Sequence, residues 1–488
     1  MKRTRTQNFV FALVMLPIIL LSAAFHFQVH FEDALAQSPA LDYAVDISVW
    51  RIIFEPMLGP LLYLNRSIYL LQEVPLALCW GLLAYIALSL AEIYKERLSR
   101  RSVAFRKVAN LPLAIGVCFA IFVVVLFVPI PNNTIVNTTE DSVLVTTHAH
   151  TEFSHDGLIS QKNMWEWHKR NGFDAFFITD HANHKKSLQF SQEQKNGKFP
   201  NKPLVLVGQE YSGTNHMSLL GLNGKFETKG MEDKAVIDTV HRYGGAVIIN
   251  HWFDGKGKEK EVYAALGADG FEIENSGKDL YYDRDIFGQL RKFCKENGLI
   301  MIGGLDFHGY GRVCSLYNAF EIPDWDALGY DEKERAIINI LKNGPQEKIK
   351  VLLYKDRPFY TNSKLLFRPF LTAVNYFRTL NLAQVLSWAF WLLLFQSISN
   401  YVGRSSLFKN KRLLLLSLIS AIFLIVLGVQ YYVRGKAVAG YSEIYSEYSL
   451  LLGPIGLGLL LYVLAVAYFR LHPKHKDKTS SILKNNQQ

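Results

Sequence analysis

The 488-residue chain has only four cysteines, and no two of them are spaced as a CxxC pair. Cys79 and Cys118 lie in apolar runs, whereas Cys294 and Cys314 lie in the more polar middle of the chain. Because zinc sites built from thiolates use closely spaced cysteines, this pattern argues against such a site. The chain also lacks an internal repeat, which argues against a repeat architecture.

The polar middle of the chain lacks a stripe of interleaved basic and aromatic residues. The formal net charge of +10 would otherwise suggest a nucleic-acid partner. The basic residues collect beside apolar runs instead, so membrane topology accounts for the charge and nucleic acid is not the expected partner. The better apolar runs contain no charged pair and no broken-helix pattern, which argues against transport.

Long apolar runs are abundant at both ends of the chain, and half of all residues are apolar. A helix needs ~20 apolar residues to cross a bilayer. The first run could instead be a secretory signal, with Ala34-Leu35-Ala36 as a cleavage-like site, but the long polar gap before it favours an uncleaved anchor. We predict six crossings, at residues 9–27, 74–93, 111–129, 385–398, 413–432 and 450–469.

The stretch from residue 47 to residue 71 is apolar but carries Arg51, Glu55 and Arg66. Charges at the centre of a bilayer are costly, so we expect this stretch to be interfacial or packed against other helices. A seventh crossing here would also move the basic segment Lys95–Lys107 to the outer side, against the positive-inside rule.

Four basic segments set the expected topology: the N-terminus, Lys95–Lys107, Arg404–Arg412 and Arg470–Lys478. With six crossings, all four lie on one side of the membrane, which the positive-inside rule makes cytoplasmic. The middle of the chain then lies on the opposite side. We therefore expect a multi-pass protein of the plasma or inner membrane whose globular part faces away from the cytoplasm.

The expected domain order has five parts. Segment 363–382 either lies at the membrane surface as an amphipathic segment or is a partly buried connecting helix. Each membrane region should contain about three transmembrane helices. The parts are a membrane region at 1–131, a globular domain at 132–362, the segment 363–382, a second membrane region at 383–470 and a basic tail at 471–488.

Apolar, β-rich runs alternate with helical patterns in the globular domain. This alternation predicts parallel β/α units, and so many units favour a barrel, whose active site would lie at the C-terminal ends of the strands. The predicted strands are 143–147, 175–179, 204–208, 217–221, 246–250, 270–274 and 299–303. The predicted helices include 160–170, 232–243, 258–266 and 283–296.

A pair of histidines follows the first of these strands. Strand alternation places His148 and His150 on the same face, and the turn at Asp156-Gly157 can return a carboxylate beside them. Such a pair alone is weak evidence for a metal, because two nearby histidines are often surface or core residues. The later strand ends repeat the pattern, however, with Asp180-His181, Glu210, His216, His251, Asp306 and His308.

A series of histidines and acids at successive strand ends predicts a metal centre. A core of hydrogen-bonded histidines would not gather at one rim of a barrel. Imidazoles and carboxylates suit zinc, manganese or iron better than calcium. We therefore expect two or three divalent transition-metal ions as cofactors.

The order of these motifs resembles the PHP domain, named for the polymerase and histidinol phosphatase superfamily of metal-dependent phosphoesterases. The resemblance covers His148 to about Tyr360. It implies a distorted (β/α)7 TIM-like barrel, here flanked by transmembrane α-helices. Two positions depart from the family pattern: Trp252 stands where proline is usual, and Leu305 stands where serine is common.

The resemblance also implies three metal positions. Glu210 would bridge the first two ions, and His216 is the least certain ligand because its spacing varies. The implied ligands are His148, His150, Glu210 and Asp306 for the first ion; Glu210, His216 and His251 for the second; and Asp156, His181 and His308 for the third.

The implied reaction is hydrolysis of a phosphate mono- or diester by metal-activated hydroxide. The expected catalytic residues are Asp306, His308, Glu210 and Arg312. Arg312 is either the phosphate contact, because its guanidinium matches phosphate oxygens, or a surface arginine. His155 is either a leaving-group acid or an exposed neighbour. His184, Lys185 and Lys186 either assist phosphate binding or form a solvated loop.

Short tethers to the apolar runs favour a lipid-linked or envelope-localised phosphoester as the substrate. The alternatives are a nuclease of PHP type and a non-catalytic ligand-binding or sensor domain.

Overall fold

The computed structural model describes residues 2–95, 100–130, 135–181, 183–224, 227–277, 284–358, 365–402 and 412–471. The predicted boundaries at 131/132 and 362/363, most of the basic segment Arg404–Arg412 and the tail 472–488 lie outside the described residues, so the domain limits stay predictions. The chain divides into two compact units. One contains Met1–Ala77, Val123–Ile398 and Gly435–Tyr445, and the other contains Leu78–Phe122, Ser399–Arg434 and Ser446–Gln488.

The helices and strands of the described residues are numbered in chain order. The helices are α1 (Lys2–Ala24), α2 (Val49–Ile53), α3 (Glu55–Asn65), α4 (Leu70–Lys95), α5 (Arg100–Phe127), α6 (Gln161–Arg170), α7 (Lys185–Lys195), α8 (Asp233–Arg242), α9 (Lys260–Leu266), α10 (Arg284–Glu296), α11 (Tyr330–Asn343), α12 (Arg368–Arg378), α13 (Leu382–Val402), α14 (Arg412–Ala437) and α15 (Ile444–Leu471). The strands are β1 (His30–Asp33), β2 (Ser38–Pro39), β3 (Tyr43–Val45), β4 (Ile135–Asn137), β5 (Ser142–Thr146), β6 (Ala175–Ile178), β7 (Leu204–Ser212), β8 (His216–Leu220), β9 (Ala246–Ile249), β10 (Gly270–Asn275), β11 (Ile300–Gly304), β12 (Leu316–Glu321) and β13 (Ile349–Lys355).

Eleven of the described strands form one mixed sheet in the order β11-β10-β9-β8-β7-β6-β5-β12-β13-β1-β2. Strands β5 to β7 are parallel, and so are β9 to β11. All seven predicted strands are present, but the prediction of parallel units throughout is wrong at β8, which is antiparallel to both neighbours. The physical reason is the three-residue link Gly213–Asn215, because so short a link can join only antiparallel strands.

A closed barrel stays a prediction. No hydrogen-bonded ladder joins β11 to β12 among the described strands. The side chain of Asn318 in β12 joins these two strands through Gly303 of β11. It accepts a hydrogen bond from the Gly303 N–H (2.7 Å) and donates one to the Gly303 carbonyl (2.8 Å).

The central strands are apolar on both faces, so both faces of the sheet are buried. Phe176 and Ile178 of β6 pack in a cluster with Met164 of α6, and Phe177 packs on the other face with Ile337 of α11. Because side chains alternate along a strand, this burial fixes the orientation of each strand. The residues at the ends of neighbouring strands are thereby brought to one edge.

The charged stretch 47–71 contains α2 and α3. It packs against other helices, which is one of the two arrangements expected from the sequence. Arg51 Nε lies 3.7 Å from Glu55 Oε2, and the buried Glu55 accepts a 2.9 Å hydrogen bond from Tyr376 of α12. Helix α12, within the predicted segment 363–382, is partly buried at Thr372 and Tyr376 and exposes Phe370. It therefore has a packed face and an exposed apolar face.

Five helices are long and apolar enough to cross a membrane: Leu70–Lys95, Arg101–Phe127, Leu382–Ser399, Arg412–Ala437 and Ile444–Arg470. The first predicted crossing forms a shorter apolar segment, Phe9–Ala24, so the count of six crossings and the orientation stay predictions. In the second unit, the backbones of α14 and α15 approach closely at glycines. A Cβ on Gly428 would lie 2.7 Å from the Gly453 nitrogen, which is typical of helices packed through small residues.

Candidate metal centre

The first and last of the strand-end motifs, His148–His150 and Asp306–His308, lie side by side. Ala149 and Phe307 form a parallel bridge. The His150 N–H donates to the Phe307 carbonyl at 2.8 Å, and the Asp306 N–H donates to the His148 carbonyl at 3.0 Å. This pairing holds His148, His150, Asp306 and His308 at one edge of the sheet.

Glu210 lies at the centre of this edge and is 1% exposed. Its Oε1 is 3.2 Å from His148 Nε2, 3.1 Å from His216 Nδ1 and 3.4 Å from His251 Nε2. Its Oε2 is 3.2 Å from His150 Nε2 and 3.1 Å from His181 Nε2. One buried carboxylate therefore faces five imidazoles, which is the arrangement expected of a bridging ligand.

Asp156 forms the second focus of the cluster. Its Oδ2 is 2.8 Å from His308 Nε2 and 3.7 Å from His181 Nε2, and its Oδ1 accepts a 2.9 Å bond from the Ser154 hydroxyl. Asp306 Oδ1 lies between the two foci, at 3.4 Å from His148 Nε2 and 3.5 Å from His150 Nε2.

Several imidazoles are oriented by an acceptor on their outer nitrogen. His148 Nδ1 donates to Glu272 Oε1 at 2.8 Å, and His251 Nδ1 donates to Asp254 Oδ2 at 3.1 Å. In the neutral ring that metal binding requires, a proton on Nδ1 directed at the carboxylate leaves the Nε2 lone pair facing the cluster. Such outer partners are typical of metal-bound histidines.

The chemistry of the donor set fits divalent cations. His148 Nε2 and His150 Nε2 are only 3.0 Å apart, and both face the carboxylates of Glu210 and Asp306. Lone pairs and carboxylates packed this closely repel one another unless protons or metal ions lie between them. The residues therefore form a site that divalent ions would stabilise.

The pKa shifts of these groups also show that the acidic side chains need positive charge beside them. Burial opposes the charged form of His150 and His251, but hydrogen bonds to acidic neighbours outweigh it and raise each pKa to about 10. Burial likewise opposes ionisation of Glu210, but the charges of His148 and His181 hold its pKa well below the usual range. The buried carboxylates therefore stay ionised only because cationic groups surround them.

Two proposed ligands have left-handed backbone conformations, His251 at φ 28° and Asp306 at φ 50°. Such conformations are rare for residues other than glycine and cluster at functional sites. Here they turn both side chains into the cluster immediately after a strand.

The nine predicted metal ligands all lie in this cluster, with His155 at its rim. The His155 side chain is 58% exposed and its Nε2 is 4.0 Å from Asp156 Oδ2, so its role stays open between the two alternatives. The ligands are His148, His150, Asp156, His181, Glu210, His216, His251, Asp306 and His308.

The other predicted contacts lie elsewhere. His184 is buried and hydrogen-bonded to Gln209, Lys185 is paired with Glu227, and Lys186 lies over the ring of Phe153. Arg312 donates to the Arg66 carbonyl at 3.2 Å.

Arg312 lines a cavity of about 90 Å³, together with Arg66, Lys355 and Arg357. The same cavity is lined by Asn275, whose amide donates to Glu272 Oε2 at 2.9 Å. None of the nine ligands lines this cavity, but Asn275 connects it through Glu272 to His148 Nδ1.

Sequence reasoning missed the residues that hold the ligands. Glu272 contacts His148 Nδ1 and accepts from the His251 N–H, and Asn250 donates to Glu210 at 2.7 Å. Ser212 lies 2.9 Å from His181 Nδ1. The available signal was Glu272 itself, a charged residue in the middle of a buried apolar strand.

Residues 146–271 match the family model of the PHP domain, so the resemblance drawn from the motif order is confirmed. The matched range includes the residues from His148 to His251 but ends before Asp306 and His308. No curated protein matches the chain in sequence.

Three solved structures resemble parts of the chain. A two-domain protein from Bacteroides vulgatus ATCC 8482, containing a predicted PHP-like metal-dependent phosphoesterase, is 17% identical over 47% of this chain and 69% of that protein, with a TM-score of 0.33. A candidate metal-dependent phosphoesterase from Bifidobacterium adolescentis ATCC 15703 is 16% identical over 34% of this chain and 88% of its own, with a TM-score of 0.28. PsfC from Pseudomonas syringae PB-5123 is 15% identical over 49% of this chain and 98% of its own, with a TM-score of 0.33.

Proposed function

We propose, from the PHP domain at residues 146–271, that this chain is a metal-dependent phosphoesterase that hydrolyses a phosphate mono- or diester. The observation that carries the proposal is Glu210, a buried carboxylate that faces five imidazoles at one edge of the sheet. Carboxylates and imidazoles clustered in this way are the ligands of the two-metal and three-metal hydrolases.

We propose ten ligand assignments to three positions, which the closeness of these side chains and the family pattern support. When bound, divalent zinc, manganese or iron ions lower the pKa of water and neutralise charge on phosphoryl oxygens. The first position uses His148, His150, Glu210 and Asp306; the second uses Glu210, His216 and His251; and the third uses Asp156, His181 and His308.

The side chains around these positions have distinct tasks. Glu272 and Asp254 fix the rings of His148 and His251, so that the ligand nitrogens face inward before substrate arrives. Asp306 stays ionised, because the charges of His148 and His308 outweigh the burial that would raise its pKa. It can therefore accept a hydrogen bond from the attacking water and orient it.

Arg312 is the proposed phosphate contact. The cavity that it lines has four cationic side chains and two acidic ones, Glu274 and Asp356, and is linked to the cluster through Asn275 and Glu272. A guanidinium offers paired donors that match phosphate oxygens. Arg312 would bind the part of the substrate that extends from the reacting phosphorus into this cavity.

The finer proposal is a lipid-linked substrate, with its phosphoester at an envelope membrane. Its support comes from two loops beside the ligands, which contact the ends of candidate spans. The Gly311 N–H, three residues after His308, donates to the Leu126 carbonyl at 2.7 Å near the end of α5. The Ile444 N–H, at the start of α15, donates to the His155 carbonyl at 3.3 Å.

The test uses the full-length chain, purified in detergent and treated with chelator. We expect hydrolysis of phosphomonoesters or diesters to stop on chelation and to return with zinc, manganese or iron. A second arm compares a soluble phosphomonoester with a lipid-linked one in vesicles, and the lipid-linked ester should be preferred. Preference for the soluble ester overturns the lipid proposal alone. Metal binding without turnover of any ester supports the sensor alternative, and turnover of nucleic acid supports the nuclease.

A further inference from the structure

The loop that carries Asp156 is held by residues far away in the chain. Ser442 is 5% exposed, and its hydroxyl donates to the Gly157 carbonyl at 3.0 Å. The backbone N–H groups of Glu443 and Ile444 donate to the His155 carbonyl at 2.9 and 3.3 Å. Two donors from the link between α14 and α15 and one from the first residue of α15 therefore fix the backbone on both sides of Asp156.

The acceptor of these bonds also caps a helix. Ile444 is the first residue of α15, and the first N–H groups of a helix have no partner within it. The His155 carbonyl supplies an acceptor for one of these groups. The loop that carries Asp156 thus supplies a hydrogen-bond acceptor for the start of α15, and the start of α15 supplies donors for the loop. A change in one segment therefore affects the other.

The loop that carries His308 is held in a similar way by Asn65, the last residue of α3. Asn65 is 1% exposed, and its amide donates to the Val125 carbonyl at 2.6 Å and to the Gly311 carbonyl at 2.8 Å. Its side-chain oxygen accepts from the Val313 N–H. Both donors and the oxygen of this buried amide therefore join α3, the end of α5 and the loop after His308.

These two loops meet at one pair of ligands. His308 Nε2 lies 2.8 Å from Asp156 Oδ2, and the Leu158 N–H donates to the His308 carbonyl at 2.8 Å. In contrast, Glu210 and His216 lie on the β7–β8 hairpin. The segment His148–His150 is fixed by the bridge between Ala149 and Phe307. The outside supports thus converge on the Asp156–His308 pair.

We infer that Ser442 and Asn65 are positioning residues for the third metal position, formed by Asp156, His181 and His308. The inference rests on the proposed function, because it assumes that these side chains bind an ion. It adds that this position depends on segments outside the matched PHP range. Loss of either support lets the loop backbone move, and misplacement of a ligand weakens metal binding about 10-fold or more.

The experiment compares Ser442→Ala with Ser442→Thr and Ser446→Ala in the full-length protein. Ser442→Thr keeps the hydroxyl, and Ser446 is an exposed serine one turn further along α15, which makes it a matched control. The readouts are metal ions per chain by mass spectrometry, the unfolding temperature, and kcat and KM for a phosphomonoester. Asn65→Asp is the second variant, since it keeps the shape of the side chain but loses both donors.

We expect Ser442→Ala and Asn65→Asp to hold about one ion fewer per chain than the wild type at micromolar metal. Their kcat should fall about 10-fold or more with a smaller change in KM. Ser442→Thr and Ser446→Ala should match the wild type. Wild-type metal content and kcat in Ser442→Ala would overturn the inference and leave the proposed function intact. A wild-type chain that binds no metal would overturn both.

Discussion

At the residue scale, the chemistry of the site depends on how its carboxylates are kept ionised. Glu210 is 1% exposed and the Asp306 side chain is 14% exposed, so both carboxylates carry their negative charge with little access to water. Burial of a charge is costly unless opposite charge lies beside it, and here the opposite charge comes from imidazolium groups or from metal ions. Protons and metals therefore compete for the same nitrogen atoms.

This competition gives a pH prediction for the metal-free chain. The folded pKa of His150 and of His251 is raised to about 10, whereas an unfolded histidine titrates near ~6.5. The folded state binds the extra protons, so their stabilising contribution is fully present below pH ~6.5 and is lost as the pH rises toward 10. We expect the unfolding temperature of the metal-free chain to fall by at least about 4 °C between pH 6.5 and pH 10.

The metal-loaded chain is the control for this titration. Because ions replace the protons, its unfolding temperature should change less over the same pH range, and metal affinity should rise with pH. Equal pH dependence with and without metal would show that these histidines do not share their nitrogens with ions.

At the element scale, the sheet depends on one side chain where the ladder is incomplete. Asn318 of β12 is 1% exposed and bonds both backbone groups of Gly303 in β11. Its amide also donates to the Val145 carbonyl of β5 at 3.3 Å. One asparagine therefore replaces the backbone pairing that β11 and β12 lack, close to the strand end that leads to Asp306.

Replacement of Asn318 by alanine should lower the free energy of unfolding by about 3 kcal/mol. The change leaves the buried Gly303 N–H and carbonyl without partners, and each such group costs ~1–3 kcal/mol. Chemical denaturation measures the difference. Asn297→Ala is the matched control, since its amide donates to a backbone carbonyl at the exposed end of α10 and should cost under about 1 kcal/mol. Equal stability of the two variants would contradict the role assigned to Asn318.

Several elements could be predicted from the sequence because their signal is local. The apolar, β-branched runs of β5 to β11 and the helix between β5 and β6 follow directly from residue type and periodicity. Strands β12 and β13 were missed, since they pair antiparallel with each other and β12 also pairs with the distant β5, which local patterning cannot reveal. The charged β1 is a strand only because β13 pairs with it, and the pattern of four residues cannot reveal such a partner.

At the scale of the whole molecule, the sequence predicted which segments are apolar and which strand ends carry the clustered histidines and acids. It did not predict the supports that Asn65 and Ser442 give to the ligand loops. These contacts join residues hundreds of positions apart and consist of hydrogen bonds to backbone groups, which no residue pattern records. The roles of all the site residues remain proposals, and Asp306, His308 and Arg312 also lie beyond the matched range.

The sidedness of the chain is a further prediction at this scale. The positive-inside rule places the basic segments in the cytoplasm and the PHP domain on the opposite side. A reporter fused after Pro358 should therefore be active only outside the cytoplasm, and one fused after Arg412 only inside it. Both reporters on the same side would refute the order of the crossings, and the reverse pattern would refute the orientation.

The central claim is that this cluster binds metal ions in order to hydrolyse a phosphoester. The most direct measurement counts metal ions per chain and phosphoester turnover in the same preparation, for the wild type and for Asp306→Asn. We expect two or three zinc, manganese or iron ions in the wild type, with turnover that chelator abolishes. The Asp306→Asn chain should fold but show no turnover. A wild type that holds no ions, or an Asp306→Asn chain that hydrolyses the ester at the wild-type rate, would contradict it.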